Sequence, residues 1–191
     1  MKEKASNIAK SSDKYVNVLK EDYNLSVMLL ALRLIKPSSK VLSVGCGAGR
    51  EVKYLVRELN CDVTALDYDN DMIESSIELE PNAEYFCEDA LKFIRNEEYD
   101  YIVCLWNTIN FLKKEERKKL IEVCYRNLKN KGKLIITTSH IFQNWRFLFH
   151  NLKYWTSYYY FPKEISYWFK DTDFKVEKIK VGHSHLIIAE K

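Results

Sequence analysis

Three glycines that directly follow an apolar run are the residues of this chain that point most directly to chemistry. Residues 41–44 form the apolar run, and a helical pattern begins at Arg50. Between them lie Gly45, Gly47 and Gly49. A glycine turn between a strand and a helix presents unpaired backbone N–H groups and the positive end of a helix dipole at the carboxyl edge of a sheet. The segment is therefore predicted to be a cofactor site.

The spacing of these glycines distinguishes two kinds of cofactor turn. Dinucleotide-binding folds use G-x-G-x-x-G, in which the third glycine lets the helix pack closely on the strand. Here the third glycine comes one residue earlier and Arg50 follows it, so the dinucleotide pattern is broken. The G-x-G-x-G turn resembles motif I of the class I S-adenosylmethionine (SAM) methyltransferases, where the turn accommodates the amino-acid end of SAM.

An acidic residue ends the second predicted strand. Residues 61–67 read as a buried strand that ends in Asp67, eighteen positions after Gly49. A carboxylate about 20 residues beyond the glycine turn is placed to accept hydrogen bonds from ribose hydroxyls. The alternative role of Asp67 is to cap the next predicted helix, 69–78.

A second acidic residue follows the third predicted strand, 83–87. Asp89 resembles the family's third motif, in which an acidic side chain binds the adenine amino group and the next backbone N–H, here that of Ala90, binds the ring. The alternative is that Asp89 caps a helix over 90–95. Together the motifs imply this cofactor site: Gly45, Cys46, Gly47, Gly49, Asp67, Tyr68, Met72, Asp89, Ala90, Trp106 and Asn107.

The residues after the fourth predicted strand, 101–105, indicate the class of acceptor. Enzymes that methylate the exocyclic amines of bases carry [D/N]-P-P-[Y/F] at this place, and cytosine-C5 enzymes carry a Pro-Cys nucleophile. This chain has neither, because Trp106-Asn107-Thr108 stands here. The tripeptide looks more like the Gly-Asn-[Ser/Thr] loop of small-molecule N- and O-methyltransferases. Cys104 is expected to be a buried strand residue, with a nucleophilic role as the alternative.

The rest of the pattern predicts a complete α/β domain over 1–191. The other predicted elements are helical stretches in 15–35 that break near Asn24, helices 50–59, 113–128 and 164–171, a turn at 127–133, and strands 134–138, 174–181 and 185–189. The family resemblance implies a three-layer, Rossmann-like sandwich. Its seven-stranded mixed sheet would have the order 3-2-1-4-5-7-6, with strand 7 antiparallel.

Two segments outside the strands are candidates for binding the acceptor. The helical segment 1–36 would form a lid, and the aromatic-rich connection 139–161 would form an acceptor pocket, a dimer patch or additional packing. The candidate pocket residues are Tyr15, Tyr23, Trp145, Tyr158 and Tyr159. His140 and His150 are candidate general bases because histidine titrates near neutral pH, and Asn107 is expected near the transferring methyl group.

Composition narrows the classes of partner. The net charge of +3 is spread as +4 over residues 1–40, −4 over 41–138 and +3 over 139–191. No concentrated basic stripe results, so a nucleic-acid partner is not expected. The five cysteines are odd in number, lack a C-x-x-C pair and follow no secretory leader, which indicates reduced thiols in a cytoplasmic protein.

Metal and membrane signals are weak in this sequence. Only His183 and His185, which flank one serine, have a spacing that could suit a metal, so no metal is predicted. No apolar run approaches the roughly 20 residues that a membrane span needs.

The resemblance as a whole implies a SAM-dependent methyltransferase. It would transfer a methyl group by in-line displacement to an amine or hydroxyl of a small molecule. Two alternatives stay open at this point. One is a lipid or quinone methyltransferase that works at a membrane surface, and the other is a non-catalytic SAM-binding partner subunit. A homodimer is also possible.

Overall fold

The computed structural model describes residues 22–139, 160–181 and 184–191 of the chain. The described elements, in chain order, are α1 (Asp22–Leu32), β1 (Lys40–Val44), α2 (Arg50–Arg57), β2 (Asp62–Asp67), α3 (Asn70–Leu79), β3 (Glu84–Cys87), β4 (Tyr99–Cys104), a 3-10 helix (Thr108–Phe111), α4 (Lys114–Asn127), β5 (Leu128–Ser139), a 3-10 helix (Pro162–Glu164), α5 (Ile165–Trp168), β6 (Lys175–Val181) and β7 (Ser184–Glu190).

The seven strands form one mixed sheet in the order β3-β2-β1-β4-β5-β7-β6. The four pairs from β3 to β5 are parallel, whereas β7 runs antiparallel to both β5 and β6. The predicted strand order, the mixed sheet and its antiparallel seventh strand are therefore confirmed. The strands β1 and β4 are neighbours, but β2 lies on the outer side of β1 and β5 on the outer side of β4, so the strand order reverses between them. In open α/β folds ligands bind in the crevice at the carboxyl ends of two such strands.

Apolar side chains cover both faces of the sheet. Leu32 of α1, Leu55 of α2 and Ile73 of α3 belong to the core on one face. Leu120 of α4 and Trp168 of α5 belong to the core on the other face. The helices thus form two outer layers around a buried sheet, as a parallel sheet requires on both sides.

The start of the described chain differs from its sequence-based prediction. Helix α1 continues through Asn24, so the predicted break there is wrong. Val27, Met28, Ala31, Leu32 and Ile35 are buried. Asparagine is only a weak helix former, and the packing of this apolar face outweighs its local preference.

Two later predictions of local structure are also wrong. Residues 90–95 form no helix, because the Arg95 N–H donates to Asn127 Oδ1 over 2.5 Å and Phe93 is buried in the core. The predicted turn at 127–133 lies largely within β5, where Leu128 pairs with Tyr99 and a register irregularity follows. In both places tertiary contacts decide a structure that short-range pattern leaves open.

Candidate active site

The glycine turn after β1 is fixed to the neighbouring strand by its own backbone. Gly45 N–H and Cys46 N–H both donate to the Leu66 carbonyl, over 2.7 and 3.0 Å. The three glycines have φ values of 69°, 51° and 78° at Gly45, Gly47 and Gly49. Residues with a Cβ rarely adopt this left-handed backbone conformation, so glycine is the residue that forms such a turn without strain.

The three glycines serve different purposes. A Cβ at Gly45 would lie 2.3 Å from Thr108 Cγ2, and one at Gly49 would lie 2.2 Å from Ser76 Oγ. A Cβ at Gly47 would meet no atom within 4 Å. The outer glycines therefore allow close packing within the protein, while the middle one borders open space beside the turn.

Asp67 connects the end of β2 to this turn. Its Oδ2 accepts a hydrogen bond from Gly47 N–H over 2.9 Å, and its Oδ1 accepts one from Asp69 N–H over 3.1 Å. Burial raises the pKa of Asp67, and these backbone donors oppose the rise. Helix α3 is capped by Asp69, which accepts from Asp71 N–H, so the alternative role of Asp67 as that cap is wrong.

Asp89 follows β3, the strand next to β2, at the carboxyl edge of the sheet. Its Oδ1 accepts from Leu91 N–H over 3.0 Å, which closes a turn instead of starting the helix predicted at 90–95. Lys92 Nζ lies 3.9 Å from Asp89 Oδ2. The side chain remains partly exposed, as does that of Ala90. The adenine-binding role of Asp89 stays a prediction.

The loop after β4 has an unusual backbone. Trp106 and Asn107 have φ values of 55° and 63°, and the 3-10 helix begins directly after them. Trp106 N–H donates to Thr137 Oγ1 over 3.0 Å, and the Trp106 indole N–H donates to Glu51 Oε2 over 3.2 Å. Thr108 Oγ1 donates to the Leu105 carbonyl over 2.8 Å. Contacts with distant residues thus hold the loop in this conformation.

Glu51 is a site residue that the sequence analysis missed. It lies in the first turn of α2 and is only 2% exposed. Ser43 Oγ lies 2.9 Å from Glu51 Oε1. Burial raises the pKa of Glu51 to about 7. One sequence feature could have indicated that Glu51 is buried. It lies four residues before the apolar Leu55, and residues at i and i+4 share one face of a helix.

The other predicted cofactor residues are near this edge with different exposures. Cys46 is buried, and burial raises the pKa of its thiol. Tyr68 and Met72 are half-buried at the start of α3. Cys104 is fully buried in β4, as predicted for a strand residue, and burial raises the pKa of its thiol to about 12, which disfavours the thiolate that a nucleophile needs.

The acceptor-side predictions lie mostly outside the described residues. This holds for Tyr15, His140, Trp145, His150, Tyr158 and Tyr159. The backbone of Tyr23 belongs to helix α1. The acceptor pocket and the general base therefore stay predictions.

Comparison with known proteins identifies the fold and the cofactor. Residues 41–132 match the family model described as a methyltransferase domain. This region includes the glycine turn, Asp67, Asp89 and the loop after β4. It is a class I SAM-dependent methyltransferase domain. SAM is accordingly its cofactor.

The sequence relatives of this methyltransferase domain carry a more specific name. A carboxy-S-adenosyl-L-methionine synthase from Vibrio vulnificus is 27% identical over 146 residues, which cover 72% of this chain and 57% of that protein. The synthase from Actinobacillus succinogenes is 26% identical over 148 residues, covering 72% and 58%. The chain therefore matches a little over half the length of these relatives.

Solved structures share the fold across nearly the whole chain. A TehB-like SAM-dependent methyltransferase from Corynebacterium glutamicum has a TM-score of 0.72 at 17% identity, with 97% of each chain covered. The magnesium protoporphyrin IX methyltransferase from Synechocystis, solved with bound SAM, has a TM-score of 0.67 at 15% identity, covering 90% of this chain and 78% of that one. At these identities the likeness concerns the fold.

The described part of the chain lacks two features that other kinds of site require. None of the described helices combines the length and the apolar character needed to cross a membrane. In the described part of the chain, no three His, Cys, Asp or Glu side chains cluster in a way that could hold a metal ion.

Proposed function

We propose that this methyltransferase domain transfers the methyl group of SAM to an amine or hydroxyl of a small molecule. The observation that carries the proposal is the acidic carboxyl edge of the sheet around the open side of Gly47. Asp67 ends β2, Asp69 follows it, and Glu88 and Asp89 follow β3. Such an edge favours a cationic cofactor and a neutral or cationic acceptor over an anionic one.

The donors and acceptors at the edge suit SAM. Gly47 leaves room at the turn, and the Asp67 carboxylate accepts two backbone N–H groups. A carboxylate offers about four lone-pair directions, so Asp67 keeps capacity for ribose hydroxyls. Bound SAM supplies a methyl group activated by its sulfonium. The protein's task is then to hold the acceptor in line with that methyl group and to exclude water.

The loop after β4 supports a small-molecule acceptor. Trp106-Asn107-Thr108 lacks the motifs of base-methylating enzymes. Asn107, in the left-handed region, begins the short helix at the carboxyl end of β4. We place its side chain near the transferring methyl group, where an amide can orient an amine or hydroxyl through hydrogen bonds.

The cofactor assignment is tested first by replacing the acid at the end of β2. Asp67→Ala should weaken SAM binding at least about tenfold, because one lost charge-assisted hydrogen bond is worth more than about 1.4 kcal/mol. Isothermal titration calorimetry measures the affinity, and circular dichroism verifies the fold. Asp62→Ala, at the exposed start of the same strand, is the matched control and should bind SAM like the native protein. Unchanged affinity in folded Asp67→Ala would remove Asp67 from the site.

The acceptor class is tested by turnover. The protein is incubated with methyl-labelled SAM and a panel of small amines, phenols and alcohols, and S-adenosylhomocysteine and labelled products are measured by mass spectrometry. The proposal expects both products with at least one neutral or cationic acceptor. Tight SAM binding without turnover across the panel would instead favour a non-catalytic partner subunit.

A second candidate function comes from the sequence relatives. They are named carboxy-SAM synthases, which suggests an enzyme that makes carboxy-SAM. The Arg50 guanidinium lies 5.7 Å from the centroid of the Trp106 ring at the same edge and could hold a carboxylate. Incubating SAM with the protein and a small-molecule extract as carboxyl donor tests this. Accumulation of SAM that carries an added carboxyl group would favour this candidate over the first.

A further inference from the structure

Glu51 is a buried acid with a polar partner at each carboxyl oxygen but, in the described part of the chain, with no ion pair to a cation. Its two carboxyl oxygens face two different polar partners, Ser43 Oγ at 2.9 Å and the Trp106 indole nitrogen at 3.2 Å. Among the described residues, no lysine or arginine forms an ion pair with Glu51. A buried carboxylate without a countercharge is costly, so burial favours the neutral acid.

The two partners of Glu51 differ in whether they can accept a hydrogen bond. The Trp106 indole N–H can only donate, so Glu51 Oε2 is an acceptor in every protonation state. The Ser43 hydroxyl can both donate and accept. It can receive a hydrogen bond from neutral Glu51 and can donate one to ionised Glu51. The side chain can therefore gain or lose its proton without leaving any of these groups unpaired.

The ionisable groups around Glu51 that the structure describes provide no positive charge paired with it. Those that interact electrostatically with it are Cys46 of the glycine turn, Asp67 of β2, Tyr85 of β3 and Cys104 of β4. Arg50, the neighbouring cation on α2, lies over the ring of Trp106. Of this group, the Asp67 charge raises the pKa of Glu51 further.

We propose that Glu51 is a positioning residue whose carboxyl group releases a proton to solvent when cationic SAM binds, and that the resulting carboxylate strengthens the hold on Trp106 and its loop. The proposal rests on the proposed function, because it takes SAM as the ligand of the glycine turn. Only the O–H bond of Glu51 breaks, and its proton goes to water or buffer. An ionised acceptor makes the stronger hydrogen bond to the indole N–H.

This coupling makes SAM affinity depend on pH in a defined direction. If the complex contains only ionised Glu51, binding must first remove the proton from the neutral acid, so affinity falls as pH drops. With the free pKa at about 7, this predicts affinity about tenfold weaker at pH 6 than at pH 8. It also predicts release of about half a proton per bound SAM at pH 7.

Calorimetric titration with SAM in two buffers of different ionisation enthalpy measures the released protons. Native protein and Glu51→Gln are compared from pH 6 to pH 8, because glutamine keeps an acceptor for Trp106 but cannot ionise. The amino group of SAM titrates too, and it cancels in the difference between the two proteins. Glu58→Gln, which alters an exposed acid at the end of the same helix, is the matched control and should release protons like the native protein.

The outcomes separate this proposal from the proposed function. The expected result is about half a proton of difference between native and Glu51→Gln at pH 7, with SAM bound by both. SAM binding with equal proton release in the two proteins overturns the role of Glu51 and leaves the proposed function intact. No SAM binding by native protein or by Glu58→Gln overturns both.

A second measurement needs no ligand. Ionisation of Glu51 beside the Trp106 indole should change the fluorescence of the free protein with a midpoint near pH 7. Trp106→Phe should remove this transition, and so should Glu51→Gln. A transition that persists in folded Glu51→Gln would show that another group titrates there, which contradicts the proposal.

Discussion

The glycine turn after β1 and the loop after β4 face the same site but obtain their shapes in different ways. Both contain left-handed residues, three glycines in the turn and Trp106 with Asn107 in the loop. The turn takes its shape from residues with no Cβ, whereas the loop adopts a conformation that costs on the order of 1–3 kcal/mol per residue. Hydrogen bonds from Trp106 to Glu51 and Thr137 offset that cost. The turn is thus encoded locally, and the loop depends on tertiary contacts.

The largest loss of folding stability is expected from adding a side chain to a glycine of the turn after β1. Gly49→Ala should destabilise the fold by roughly 2–5 kcal/mol, the sum of left-handed backbone strain and overpacking. Its Cβ would lie 2.2 Å from Ser76 Oγ. Urea unfolding measures the loss. Gly47→Ala has the same kind of backbone but open space around it, so it should cost only about 1–2 kcal/mol. Equal losses would mean that packing against Ser76 contributes nothing.

The second-largest effect on stability is expected from the ionisation of Glu51, which links helix α2 to the loop after β4 through Trp106. The folded-state pKa of Glu51 is about 7, above its ordinary value of 4.5. The folded protein therefore binds the proton more tightly, and this stabilising contribution is present below about pH 4.5 and is lost as pH rises through 7. Between these limits native protein should lose about 3 kcal/mol of stability from this group alone.

The measurement is the free energy of unfolding from pH 4.5 to pH 8. Glu51→Gln cannot ionise, so it should lack this loss, and its stability relative to the native protein should rise with pH. Glu58→Gln, at an exposed position of the same helix, should follow the native curve. Parallel curves for native protein and Glu51→Gln would contradict a buried, titrating Glu51 and weaken the contrast between turn and loop.

The same contrast explains how much the sequence could predict. The glycine spacing and the acid after the second strand led to the place of the turn, because those features depend on neighbours in the chain. The fold and the strand order were predicted only through the family resemblance that these motifs carry. Asp67 was also placed beside the turn by its spacing, and its carboxylate does accept from Gly47 N–H. Such local rules work best where glycine is the only residue that fits.

What the sequence did not predict depends on contacts between distant segments. Glu51 was missed because a charged residue at the start of a helix usually faces solvent, and only the fold places it between Ser43 and Trp106. The helix expected at 90–95 fails because Asn127, more than thirty positions away, bonds the backbone there. Neither effect leaves a pattern in the local sequence.

The smallest expected effect tests the loop's other support. Thr137→Val keeps the shape of a buried strand residue but removes the acceptor for Trp106 N–H, which should cost about 1 kcal/mol. Ile135→Val, on the same face of β5, should also cost about 1 kcal/mol by loss of one methyl group. Hydrogen exchange separates them, because only Thr137→Val should speed the exchange of the loop amides at 106–108. If both variants leave that exchange unchanged, the loop holds its left-handed backbone without Thr137, and Glu51 is its main support.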